Sequence, residues 1–193
     1  MKKLLLLLAI TFSLGVSAQE QEPASKSKTI AFLSKDGSLL KKEFYDIEGG
    51  KVNGVGFQNI IITDEKTKEK VGALRISTSY YSSALKNSET IIGTLDYDEL
   101  DACIKSLEYM NDNIIRKIPE TYTECEYSSR DGIRMNVFWS SKRKWAFMIQ
   151  TKSYTNRSTQ YLDITSLPVV IINLKNAQVQ LKETLAIQPK CPI

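Results

Sequence analysis

Short runs of apolar and β-branched residues, bounded by glycines and charged turns, recur along the chain and predict a protein rich in β-strands. In the first half the predicted strands are residues 39–47, 55–62, 71–77 and 90–95. In the second half they are residues 121–129, 133–139 and 145–151, with a brief segment near 160–162. Residues 49–56 are rich in glycine but lead into a strand, so we interpret them as a loop and not as a phosphate-binding motif.

Alternation along residues 133–139 determines which side chains face the core in the hairpin around Gly132. A two-residue turn would place Glu126 opposite Val137 and would bury an unpaired carboxylate, which is costly. A three-residue loop with Gly132 in the left-handed conformation avoids that cost. This loop predicts the cross-strand pairs Tyr127 with Met135, Cys125 with Val137, and Thr123 with Trp139.

One pattern of apolar positions occurs twice, as LDYDELDACIKSL from Leu95 and as LDITSLPVVIINL from Leu162. In both stretches the apolar residues recur at helical spacing, which is typical of an amphipathic helix. The sequence therefore predicts helices over about 97–113 and about 165–184.

Each copy of the pattern carries an aspartate in second position, at the junction between a strand and a helix. Asp96 suits an N-cap, with a glutamate three residues later as in a capping box. Asp163 does not cap in the same way, because Pro168 would then lie too deep in the helix and remove a hydrogen bond. The second helix is therefore expected to start from Thr165 or Ser166.

The order of strands then helix, found twice, predicts an α+β fold in which antiparallel strands are covered by two helices. The repeated pattern favours a duplicated unit, and chance similarity between leucine-rich helices is the alternative. A strongly bent sheet or partial barrel closed by the C-terminal helix fits the same order. We expect a single domain over residues 29–186, with halves at about 29–114 and 119–186.

The first residues, MKKLLLLLAITFSLGVSAQE, have the layout of a secretory signal peptide: two lysines, an apolar run and small residues at its end. We expect residues 1–18 to be cleaved, residues 19–28 to form a flexible leader and residues 187–193 to form a loose tail. The protein is thus expected to be periplasmic or extracellular. No later stretch is apolar enough to predict a membrane span.

Composition excludes several kinds of chemistry. The chain has no histidine, which removes Ser-His-Asp and Cys-His catalysis and the commonest zinc ligand. A net charge of +4, from 26 basic and 22 acidic residues, is too small to indicate nucleic acid as a partner. The cysteines number three, so they cannot form a closed disulfide framework, although a bond between Cys103 and Cys125 is an alternative to free thiols. No catalytic set, metal or cofactor is predicted.

The loop between the last two long strands is the candidate binding surface. It is formed by Trp139, Lys142, Arg143, Lys144 and Trp145, so that three cations lie between two tryptophans. Cations and aromatic faces together suit an anionic polymer. The alternative is a polar hairpin tip whose tryptophans point into the core.

Carboxylates are the remaining candidates for chemistry. Glu124 and Glu126 share one strand face about 7 Å apart, a separation that inverting glycosidases use. The alternative is a solvated outer face, on which alternate polar residues are expected. Asp98, in the first turn of a predicted helix, is a third candidate carboxylate.

These observations predict an exported, non-catalytic binding or structural module of the bacterial envelope or extracellular space, with a protein or an envelope polymer as its partner. The alternatives are a hydrolase that uses carboxylates alone and an inhibitor or immunity-type protein. An enzyme needs carboxyl groups that converge in a concave pocket, whereas a module can present a flat or convex sheet face.

Overall fold

Two four-stranded antiparallel sheets, each followed in the chain by a helix, form the fold. The structure, a computed structural model, describes residues 26–83, 86–140, 142 and 144–186. The predicted signal peptide, the leader up to residue 25, the predicted tail, Arg143 and Cys191 lie outside the described residues. The predicted α+β class and the repeated order of strands then helix are confirmed.

The strands of each sheet neighbour one another in chain order, so each sheet is a meander. The first sheet comprises β1 (Leu40–Val52), β2 (Val55–Asp64), β3 (Lys70–Ser82) and β4 (Asn87–Asp96). The second sheet comprises β5 (Glu124–Ser128), β6 (Arg134–Trp139), β7 (Trp145–Gln150) and β8 (Thr159–Asp163). The sheets are separate and neither closes into a barrel, so the alternative of a partial barrel is wrong.

In the part of the chain that the structure describes, the α-helices are α1 (Lys28–Leu33), α2 (Leu100–Tyr109) and α3 (Ser166–Ala186). A 3-10 turn precedes α2 and a π-helical turn follows it, so the chain is helical from Tyr97 to Ile114, as predicted. Helix α3 begins at Ser166, one of the two residues predicted from the position of Pro168. Helix α1 is not predicted by the sequence analysis, and its first residue is the last residue of the predicted leader.

One apolar core joins the two sheets to α2 and α3. Inward side chains such as Leu74 of the first sheet and Phe147 of the second belong to it and are fully buried. Burial of one such side chain contributes about 1.5–3 kcal/mol. A smaller cluster lies on the opposite face of the first sheet, where Phe32 of α1 packs on Ile60, Ile62 and Ala73.

The two sheets can be aligned row by row on Asp96 and Asp163. Opposed residues run Phe44–Ile60–Ala73–Asp96 across the first sheet and Glu124–Phe138–Ala146–Asp163 across the second. Asp96 and Asp163 are each the last residue of the last strand of a sheet; helical structure begins directly after Asp96 and three residues after Asp163, at Ser166. The repeated sequence pattern therefore marks, in both halves of the chain, the end of a four-stranded meander that is followed by a helix.

The hairpin between β5 and β6 has the predicted register. Tyr127 is opposite Met135 and Cys125 is opposite Val137. Gly132 has a φ of 82°, in the left-handed region that the three-residue loop requires. This prediction is confirmed, and it keeps both glutamates of β5 out of the core.

The glycine-rich stretch is largely strand rather than the predicted loop. Strand β1 continues to Val52 past an irregularity between Asp46 and Lys51, and β2 begins only three residues after Val52. Asn53 and Gly54 form the turn, with φ values of 46° and 87°. An Asn-Gly pair with two positive φ angles is typical of a tight hairpin, because its twist matches that of the strands.

Asp131, in the loop after β5, connects the two sheets. Its carboxylate accepts a hydrogen bond from Thr94 N of β4 at 2.8 Å and pairs with Lys152 Nζ at 2.8 Å. Thr151 Oγ1 also donates to Ile91 O at 3.3 Å. These bonds satisfy backbone groups of an edge strand, which would otherwise be free.

Candidate functional site

The outer face of the second sheet carries a concave depression of about 320 Å³. Inward residues of this sheet enter the core, whereas the alternate residues face away from α2 and α3. No apolar cluster covers this outer face among the described residues. We call it the second-sheet depression.

Polar side chains form much of the depression: Glu124, Glu126, Arg134, Asn136, Gln150 and Asn156. Aromatic side chains join them, namely Tyr122, Phe138 and Tyr161, with Met148 in the middle of the sheet. Strand pairing sets this arrangement, because Glu126, Asn136, Met148 and Tyr161 lie opposite one another across all four strands.

Asn136 is a buried polar residue, and one atom of its side-chain amide has no hydrogen-bond partner among the described residues. The residue is only 4% exposed. Its Nδ2 lies 3.5 Å from Glu124 Oε2, while its Oδ1 has no hydrogen-bond partner among the described residues. This orientation places the amide nitrogen, a donor, toward the carboxylate, which only accepts hydrogen bonds. A buried acceptor without a donor costs about 1–3 kcal/mol, which a ligand that supplied a donor would recover.

The two carboxylates of β5 are held by neighbouring donors. Tyr122 Oη donates to Glu124 Oε2 at 2.8 Å, and this hydrogen bond raises the pKa of the exposed tyrosine. Ser128 Oγ donates to Glu126 Oε1 at 2.9 Å, and Arg134 Nε lies 3.7 Å from the same oxygen. One guanidinium thus faces two carboxylates, so the depression carries net negative charge.

Two exposed tyrosines project beside the polar floor. Tyr122 is 67% exposed and Tyr161 is 71% exposed. Phe138 meets Tyr161 edge to face, with ring centres 6.1 Å apart. Large aromatic rings that remain in water next to polar groups are typical of binding surfaces, because they lose little entropy on contact.

A larger groove of about 600 Å³ lies on the first sheet, at the irregularity of β1. Its lining includes the glycines at 49, 50 and 56. Two of its polar side chains already bind each other, since Gln58 Nε2 donates to Asp46 Oδ1 at 2.9 Å. We prefer the second-sheet depression, because size alone does not identify a site and only the smaller depression contains a buried unsatisfied group.

The predicted binding loop is placed at one end of the second sheet. Trp139 and Trp145 are opposed residues whose ring centres lie 5.6 Å apart, edge to face. Trp145 is buried and its Nε1 donates to Lys117 O at 2.8 Å. Lys142 and Lys144 are exposed. The face of Trp145 is thus not open to a ligand, and the proposal that the cations bind a polymer stays a prediction.

Asp98 belongs to an ionic group at the start of α2. Burial opposes its charge, but hydrogen bonds from Arg130 and Lys28 lower the pKa of Asp98. Arg130 also lies 2.9 Å from Asp96 Oδ2. This arrangement connects α1, α2 and the β5–β6 loop, so we interpret it as structural.

The described cysteines, Cys103 and Cys125, are both free thiols. Cys103 Sγ lies 3.9 Å from Met135 Sδ within the core, and burial raises the pKa of this thiol. A buried neutral thiol is a weak nucleophile. The alternative of a bond between these two cysteines is not found.

Among the residues that the structure describes, no cluster of acidic, cysteine or histidine side chains is suited to hold a metal ion. The helices in the described ranges also include none with the length and apolar character needed to cross a membrane. No protein-family model, curated protein or solved structure matches this chain.

Glu124 and Glu126 are predicted from the sequence, whereas Asn136, Tyr122 and Tyr161 are not. One signal was present, because asparagine is depleted in strands and Asn136 lies in the middle of an alternating run. The outward position of Tyr161 could be derived only from the pairing of β8 with β7.

Proposed function

We propose that this protein is an exported, non-catalytic binding module of the bacterial envelope or extracellular space, and that it binds its partner in the second-sheet depression. The observation that carries the proposal is the buried Oδ1 of Asn136, which lacks a donor within the described chain and lies in a concave surface. A bound partner would supply that donor. Export is proposed from the signal-peptide pattern of residues 1–18.

The contacts of the glutamates support binding rather than catalysis. Glu124 and Glu126 each accept a hydrogen bond from a neighbouring hydroxyl. The general acid of a glycosidase is typically held in an apolar pocket that keeps its carboxyl group protonated. Both residues lie on a face open to solvent.

A hydrolase that uses carboxylates alone remains the second candidate, because Glu124 and Glu126 line one concave depression. The discriminating test is turnover of a panel of polysaccharides by residues 19–193. If the parent chain releases product from a polysaccharide and both Glu124→Gln and Glu126→Gln lose this activity, the protein is an enzyme and the non-catalytic module is refuted. Activity that persists in both variants would be a contaminant.

The binding proposal is tested by retention of native components. Residues 19–193, immobilised, are incubated with the periplasmic or extracellular fraction of the source organism, and retained polymer and protein are both measured. Tyr161→Ala should abolish retention, because this exposed ring borders the depression. Tyr109→Ala is the matched control, since Tyr109 is 59% exposed on α2 and does not line the depression.

The same experiment tests the predicted loop. Replacement of Lys142, Arg143 and Lys144 by alanine should leave retention unchanged if the depression is the site. Retention that depends on these cations and not on Tyr161 would refute the depression and support the loop. A single protein recovered in equal amount with the chain would favour an inhibitor or immunity-type role of the same surface.

A further inference from the structure

The first sheet provides an internal comparison for the second-sheet depression. Because both sheets can be aligned on Asp96 and Asp163, the row beside these aspartates can be compared residue by residue. The rows are Asp46–Gln58–Arg75–Thr94 in the first sheet and Glu126–Asn136–Met148–Tyr161 in the second. Both rows begin with a carboxylate and a side-chain amide, and they differ at the third position.

In the first sheet this row is complete. Gln58 Nε2 donates to Asp46 Oδ1 at 2.9 Å, and Gln58 Oε1 accepts from Arg75 Nη1 at 2.7 Å. The guanidinium of Arg75 also lies over the ring of Phe44, 4.9 Å from its centre. The amide thus uses its carbonyl oxygen on a cation, which in turn has an aromatic ring beneath it.

In the second sheet the carboxylate and the amide are kept, but the cation is missing. Met148 occupies the position of Arg75, and a thioether has no hydrogen to donate. The equivalent amide oxygen, Asn136 Oδ1, is the one without a partner in the described chain. The first sheet thus shows which chemical group donates to the amide oxygen at the corresponding position of its own row.

We propose that the partner inserts an arginine side chain into the second-sheet depression, so that its guanidinium donates to Asn136 Oδ1 in the way that Arg75 donates to Gln58. The inference rests on the proposed function and names the class of partner, a protein or peptide with an exposed arginine. The charge of the depression agrees, because Glu124 and Glu126 outnumber Arg134 and one added cation neutralises the excess.

A guanidinium fits better than an ammonium group on two grounds. Its planar fork supplies several N–H donors, so it can reach the amide oxygen and a carboxylate together. Its flat face also stacks on aromatic rings, which Tyr122 and Tyr161 provide at the border of the depression.

The test is a titration of residues 19–193 with the capped tripeptide Gly-Arg-Gly, followed by NMR at the side-chain amide of Asn136. Gly-citrulline-Gly is the matched probe, since citrulline keeps the shape of arginine and loses the charge. The arginine peptide should shift the Asn136 amide resonances and bind about tenfold or more tightly than the citrulline peptide. Equal binding of the two probes, or no shift with either, overturns the inference.

Met148→Arg restores in the second sheet the residue that the first sheet has, and it should abolish binding of the arginine peptide. Met148→Leu is the control and should bind as the parent chain does. If Met148→Arg does not fold, Asn136→Leu replaces it, because the amide oxygen is then absent and binding should be lost. Binding that survives Asn136→Leu overturns the inference.

The outcome is separable from that of the proposed function. Native retention that depends on Tyr161 but is not displaced by the arginine peptide keeps the depression as the site and refutes the arginine. Native retention that is independent of Tyr161 refutes the site itself.

Discussion

Asp96→Ala is predicted to be among the most damaging single changes in the protein. Asp96 is 2% exposed, and its carboxylate accepts from Ser27 Oγ at 2.8 Å, Lys28 N at 2.7 Å and Thr29 N at 3.1 Å. Arg130 Nη2 lies 2.9 Å from the same carboxylate. The alanine variant would leave the first N–H groups of α1 and one contact of the guanidinium without their acceptor.

The magnitude follows from the number and burial of these donors. A hydrogen bond to a charged group contributes about 1.5–3 kcal/mol, but the four contacts share one carboxylate and are not additive. Arg130 keeps contacts to Asp98 and Glu99. We therefore expect a loss of about 3–5 kcal/mol, the range for removal of one partner from a buried ion pair.

Asp163→Ala is the matched control, because Asp163 holds the equivalent position in the second unit. Its carboxylate accepts only local bonds among those described, from Thr165 N at 3.0 Å and Thr165 Oγ1 at 2.8 Å. Loss of an exposed local turn contact of this kind costs about 1 kcal/mol or less. The free energy of unfolding from urea titration should therefore fall several times more for Asp96→Ala. Equal losses, or a larger loss for Asp163→Ala, would refute the reasoning.

Three further changes test other parts of the fold. Gly93→Ala should lower the free energy of unfolding by about 1–3 kcal/mol, because a Cβ atom would lie 2.4 Å from Thr151 O; an unchanged urea midpoint would contradict this. Burial raises the pKa of Asp98, but hydrogen bonds, above all from Arg130, outweigh burial and lower this pKa overall. The contribution of Asp98 to stability is thus fully present above its unfolded pKa of about 4, and it is lost as the pH falls through its folded pKa. Asp98→Asn should therefore reduce the free energy of unfolding at neutral pH and make it depend less on pH in the acid range. Peptide mapping after thiol labelling at pH 8 should find Cys103 unmodified until the chain unfolds, since burial raises the pKa of its thiol.

Local patterns were sufficient for most elements of the fold. Apolar residues at helical spacing before Ile114 predict the helix. The cost of burying Glu126 excludes the other register of β5 and β6, so the observed pairing could be predicted. The Asn53-Gly54 pair is itself a hairpin signal, but the neighbouring glycines favour a loop and obscure it.

Helix α1 could not be derived in the same way, because its stability comes from distant residues. It is only six residues long, and helices of that length are not stable alone. Its N-terminal N–H groups bind Asp96, far along the chain, and Phe32 packs on Ile60. Neither contact leaves a periodic signal near residue 28.

The candidate site shows the same limit. Glu124 and Glu126 follow from alternation along one strand, and their outward direction was predicted. Whether the face around them is flat or concave depends on the pairing of four strands and on the twist of the sheet. The unsatisfied oxygen of Asn136 becomes visible only when every neighbouring donor has been placed.

The two units can be aligned row by row but have different outer faces, and the difference begins at their junctions. In the first unit Asp96 holds α1, and α1 covers part of the outer face with Phe32. In the second unit Asp163 binds only Thr165, so it holds no corresponding helix in the described chain. Arg75 completes the first polar row, whereas Met148 leaves the second one open. The same repeat therefore gives one outer face that α1 partly covers and one outer face that no helix covers among the described residues.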